Sequence, residues 1–242
     1  MEMINRLLLK RTWFELAIVF TVGFIGCLGL YIYSIFLNHA VLYPYLVINL
    51  LLAMIPLFLS WRLVVVLKHK RWSAWEPLLL TFLWLIFLPN SFYMVSDYIH
   101  LSSVPTSTLL FTSIMFTAFI YLAFFLGMLS LYQIHLELKR RLNYKTVATI
   151  ITIVLLGCCF AIYLGRDLRW DSWDLILNPG GVLFDISNLV LRPQVYSDMG
   201  RTIAGFFVLL SATYLMAWRI SRIQWHKGVN DLAQHIKKSN TV

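Results

Sequence analysis

Five apolar runs, each long enough to cross a lipid bilayer, leave this chain little choice of fold. They are approximately Phe14 to Leu37, Tyr43 to Leu67, Val104 to Leu131, Thr146 to Gly165 and Thr202 to Trp218. A helix rises about 1.5 Å per residue against a hydrocarbon core of about 30 Å, so roughly 20 residues suffice to cross. A sixth run opens after Glu76-Pro77 and stays apolar only to Leu88, where Pro89-Asn90 interrupts it. We expect a short helix there, over 76–89. Composition agrees, with 60% of residues hydrophobic and 13% charged, against ~45–50% and ~25% in soluble domains. The expected fold is therefore all-α: a polytopic transmembrane bundle of six helices in a single integral membrane domain, residues 1–242, with a long loop over 166–201. The first run exceeds the ~7–15 residues of a signal-peptide core and is read as retained.

The net charge of +9 raises nucleic acid as a partner, but the placement of the charges argues against it. Basic residues sit in short groups at the ends of apolar runs: Arg6, Lys10 and Arg11; Lys68, Lys70 and Arg71; Lys139, Arg140, Arg141 and Lys145; and Arg219 onward. The first and third loops have none, and in the fifth Arg166, Arg169, Arg192 and Arg201 are mixed with five aspartates. Such groups meet anionic headgroups and set orientation, which predicts both termini on the cytoplasmic side. The bilayer is then the expected partner, and nucleic acid is not.

Cys27, Cys158 and Cys159 all lie inside apolar runs and read as small buried hydrophobes. Gly23, Gly26 and Gly29 repeat every three residues in the first run, a pattern that lets helices pack closely. Pro56 should bend the second helix, and Asn49 in the same helix calls for a partner on a neighbouring one. His39, His69, His135, His226 and His235 sit singly near segment ends or in tails, where solvated or interfacial roles are the economical reading.

Two polar stretches remain, both on the side away from the basic groups. The first runs from Leu88 to Leu101. Continued as an α-helix, it would align Asn90, Tyr93, Asp97 and His100 on one face. Asp97 and His100, three residues apart, would form a carboxylate–imidazole pair suited to general acid or base work. The second stretch is Gly165-Arg166-Asp167-Leu168-Arg169-Trp170-Asp171-Ser172-Trp173-Asp174. As a helix it would put Asp167, Asp171 and Asp174 on one stripe beside Arg166, Arg169, Trp170 and Trp173. Guanidinium forks beside indole faces suit phosphate and sugar, and the three carboxylates suit a divalent cation as cofactor. The bland readings are a helix-end hydrogen bond for the first stretch, and mutual charge pairing with aromatic anchoring for the second. Beyond the Asn178-Pro179-Gly180-Gly181 turn signal, residues 182–191 are too few to span and read as an interfacial or re-entrant helix.

No HExxH, GxSxG, Walker loop or Cys/His zinc spacing is present, so standard catalytic signatures are missing. The two stretches do resemble a bacterial family of membrane proteins catalogued as domain of unknown function 1361. Leu88-Pro89-Asn90 through Leu101 is similar to its LPNxxYxxTDxxHL-type run, and Tyr163 through Asp174 to its YLGRxxRxNSWD-type run. Ser96 and Asp171 stand where those runs carry Thr and Asn. The resemblance implies a multi-pass protein of the bacterial cytoplasmic membrane and brings no activity with it.

Three functions are consistent with these residues. One is a ligand site for an anionic or glycosylated lipid or cell-envelope precursor, formed by Asn90, Tyr93, Arg166, Arg169, Trp170, Trp173 and Asp174, with Asp97 and His100 as catalytic candidates. Another is an accessory or scaffold role with an envelope protein as partner. The third is a small-solute carrier, against which stands the lack of a second Pro-interrupted helix or an internal repeat.

Overall fold

The computed structural model describes the backbone of residues 2–167, 177–181, 184, 187 and 198–239, and the side chains of 15–166, 177–181, 184, 187 and 198–221. It is all-helical, with no strand among the described residues. The helices are α1 (Glu2–Asn38), α2 (Tyr45–Val66), α3 (Trp75–Tyr93), a 3-10 helix (Met94–Ser103), α4 (Thr106–Lys139), α5 (Tyr144–Asp167) and α6 (Met199–Ser239). Six segments are long and apolar enough to cross a membrane, the third combining α3 with the 3-10 helix. Large apolar side chains such as Val22, Phe36, Leu110, Ile153 and Val208 are exposed on the bundle's outside, as lipid-facing surfaces are. The segment 168–176 and most of 182–197 lie outside the described residues, and with them the expected interfacial or re-entrant helix.

The third helix corrects the expectation of a break at Pro89. That residue removes one N–H and crowds the preceding turn, yet α3 passes through it to Tyr93 because Leu88, Pro89, Ser91 and Phe92 are all buried against neighbours. The fourth helix also runs further than the apolar stretch suggested. It continues beyond Leu131 to Lys139, because the polar residues Gln133, His135 and Glu137 are buried and partnered rather than solvated.

The most extensive packing joins α2, α3 and α4. Where α4 crosses α3 the backbones approach so closely that a Cβ on Gly127 would stand 2.6 Å from Ser91 Cβ and 2.8 Å from the Phe92 ring. Glycine is required there by space. At the same level, the Ser91 hydroxyl donates to the Ala53 carbonyl at 3.1 Å and the Ser130 hydroxyl to the Pro56 carbonyl at 2.9 Å. The Trp84 indole N–H donates in turn to Ser130 at 2.7 Å. Two carbonyls of α2 in the turn that ends at Pro56 thus accept hydroxyls from two other helices. One apolar cluster fills the space between α2, α3, α4, α5 and α6, and a second joins α1, α2 and α4.

The expected glycine packing of α1 is only partly found. Gly23 lies against Leu122, but Gly26 and Gly29 have no neighbour within 4 Å. All three cysteines are buried and free.

Candidate functional site

The end of the bundle away from the basic groups gathers Tyr45 and Asn49 from the first turns of α2 with Asp97 and His100 from the 3-10 helix. Asp97 is 4% exposed. Its carboxylate accepts a 3.4 Å hydrogen bond from the Asn49 amide, which supplies the partner that Asn49 needed. The Tyr45 hydroxyl is buried beside it without a hydrogen-bond partner among the described residues. His100 is exposed at the rim, its ring 5.1 Å from that of Tyr45. A carboxylate offers about four lone-pair sites, so among the described residues one long bond from a neutral amide uses only part of this group's capacity.

The single-face alignment of Asn90, Tyr93, Asp97 and His100 does not form. Tyr93 packs against the larger apolar cluster, whereas Asp97 bonds to Asn49 near the start of α2. The reason is the change of helix type after Tyr93. A 3-10 turn advances about 120° per residue against about 100° in an α-helix, so four residues of it rotate Asp97 roughly 80° from the expected stripe. Nor do Asp97 and His100 pair: among the described residues no hydrogen bond or ion pair joins them. Asn90 is half-buried on α3.

Arg166 occupies the last turn of α5 and is half-buried. A cation there complements the helix dipole. No ion pair between Arg166 and Asp97 is formed. Arg169, Trp170, Asp171, Trp173 and Asp174 lie outside the described residues, as does the side chain of Asp167. Among the described residues no group of three His, Cys, Asp or Glu could hold a metal ion.

The basic end carries a second polar cluster that sequence reasoning missed. His135, placed with the solvated histidines, is instead buried between α4 and α6. Its Nδ1 is hydrogen-bonded to the Tyr214 hydroxyl and its ring stacks on Trp218. Glu137, also buried, pairs with Arg140 at 3.0 Å and Arg141 at 2.8 Å, and Arg141 donates further to the Leu67 carbonyl at 2.9 Å. Glu76 takes Arg62 and Lys70 in the same way. Part of the basic charge therefore ties helices together besides facing headgroups. The sequence hint was a carboxylate at 137 on the helix that continues the apolar run, which near lipid calls for a partner.

No curated protein and no solved structure matches the chain. A family model described as a protein of unknown function, DUF1361, matches residues 48–216. That span runs from the first turn of α2 into α6 and takes in the Pro89-to-Leu101 run with Asp97 and the exit of α5. With most of its length matched, the chain belongs to the DUF1361 family.

Proposed function

We propose that this multi-pass membrane protein handles a glycosylated or anionic lipid, or a lipid-linked cell-envelope precursor, at the end of the bundle that holds Asp97. One observation carries the reading: a carboxylate buried within a membrane-crossing segment that, among the described residues, accepts one 3.4 Å bond, from neutral Asn49, beside a buried Tyr45 hydroxyl with no partner among them. An acidic residue costs about 2.5–3.5 kcal/mol at the centre of a membrane span on insertion scales, and one inside a span is a functional-site candidate by default. Hydroxyl groups of a sugar would supply the donors that Asp97 lacks. Tyr45 and His100 offer ring faces at the rim. Arg166, with Arg169, Trp170 and Trp173 following it in sequence, is the natural holder of a phosphate. Asp174, with Asp167 and Asp171, completes the polar set and is the proposed place for a divalent cation.

The test is mass spectrometry of lipids and metals that stay with the gently purified protein, comparing wild type with Asp97→Asn and Arg166→Gln at equal helix content. We expect one lipid class to be lost from Asp97→Asn and weakened in Arg166→Gln. Identical spectra from all three proteins would end the proposal.

A further inference from the structure

We infer that the cleft between α1 and α4, in the basic half of the bundle, holds the acyl chain of an anionic phospholipid from the leaflet on that side. Helix α1 touches α4 closely at Gly23, where a Cβ would stand 3.2 Å from Leu122. From there towards the non-basic end the contact persists. Cys27 and Tyr31 are buried, Tyr31 meets Phe119 with centroids 6.5 Å apart, and Tyr33 meets Phe111 at 5.2 Å. Towards the basic end two apolar clefts open on either side of Leu16 and Phe20, of about 480 and 320 Å³. The larger lies between α1, α4 and α6.

Its dimensions select the occupant. On α4 it runs from Leu122 to Tyr132, ten residues or about 15 Å of helix, which is half of a hydrocarbon core of about 30 Å and therefore one leaflet deep. Apolar walls exclude water as the stable filling. A hydrocarbon chain satisfies length and chemistry together.

Polarity at the rim selects the headgroup. Ser221 and Tyr132 line the basic end of the cleft, Trp218 lies 5.7 Å from Tyr132, and the Lys139 ammonium sits 5.4 Å over the Trp218 ring. A chain seated in the cleft brings its headgroup to this exposed lysine, and a negative headgroup gains by it.

The wild-type protein is reconstituted in phosphatidylcholine vesicles carrying a trace of diazirine-tailed phosphatidylglycerol, or of diazirine-tailed phosphatidylcholine, and irradiated. Expected are adducts concentrated on peptides covering 16–20, 122–132 and 214–221, several-fold more with phosphatidylglycerol. Lys139→Gln, at an exposed site that leaves the fold intact, should abolish the preference while keeping the positions labelled. Arg201→Gln, an exposed cation at the opposite end, should change neither. Labels spread evenly over the lipid-facing helices, or equal labelling by the two headgroups in wild type, would overturn the inference by showing ordinary boundary lipid.

Discussion

His135 lies flat on Trp218, with ring planes 11° apart and centroids 3.9 Å apart, while its Nδ1 is bonded to the Tyr214 hydroxyl. The residue thereby fastens α6 to α4 in two ways, by a stacked face and by a hydrogen bond, within one turn of the basic end.

The two contributions separate by substitution. His135→Phe keeps a ring on Trp218 and gives up the bond to Tyr214, and we expect a loss of about 1 kcal/mol. His135→Ala gives up both and leaves a void, with an expected loss of about 2–4 kcal/mol. Reversible unfolding in mixed micelles measures the difference. Equal losses would mean that the stack contributes nothing.

Gly127→Ala should destabilise by about 1–3 kcal/mol, the usual range for forcing a methyl into a filled core, because Ser91 Cβ and the Phe92 ring occupy the position a Cβ needs. Gly26→Ala and Gly29→Ala, with open surroundings, should be neutral or slightly stabilising through helix propensity. A melting comparison of the three variants decides it. A harmless Gly127→Ala would contradict the close crossing of α3 and α4.

Ser130→Ala leaves the Trp84 N–H and the Pro56 carbonyl without the hydroxyl that bridges them. Hydrogen bonds inside membrane proteins average about 0.6 kcal/mol, with a maximum near 1.7. We place this double loss at the upper end, about 1.5 kcal/mol. The further change Trp84→Phe in the same background should then cost less than it does alone, and additive losses would argue that the two residues act separately.

Asp97→Asn should behave differently from these structural changes. An amide is cheaper to bury than a carboxylate and still reaches Asn49, so thermal stability should hold or rise while the proposed lipid is lost. A protein conserving stability at the expense of its ligand fits a site under functional selection. A fall of several degrees in the melting temperature with the lipid retained would make Asp97 a structural residue.

Much of this architecture can be read from residues taken one segment at a time, because crossing a bilayer is a local demand on length and polarity. Phe14 to Leu37 or Thr146 to Gly165 needs no knowledge of its neighbours to be recognised. The misreadings occur where a neighbour decides. Pro89 looks like a terminus until Phe92 and Ser91 are seen packed on α4. His135 looks solvated because Tyr214 and Trp218 are some eighty positions away in sequence. The turn of Asp97 away from Tyr93 and towards Asn49 depends on a change from α to 3-10 geometry that the string Met94-Val95-Ser96 does not announce. Arg169, Trp170, Asp171, Trp173 and Asp174 remain proposals.

The bridge from Trp84 through Ser130 to the Pro56 carbonyl also bears on how the chain assembles. Residues emerge in order, so α2 and α3 are made before the helix that carries Ser130. Until α4 arrives, the hairpin of α2 and α3 holds a proline-disturbed backbone and an indole N–H with no hydroxyl to join them, in a solvent that offers no substitute. The Trp84 donor and the Pro56 carbonyl are therefore joined only once α4 packs on the hairpin, where Gly127 leaves room for the close crossing.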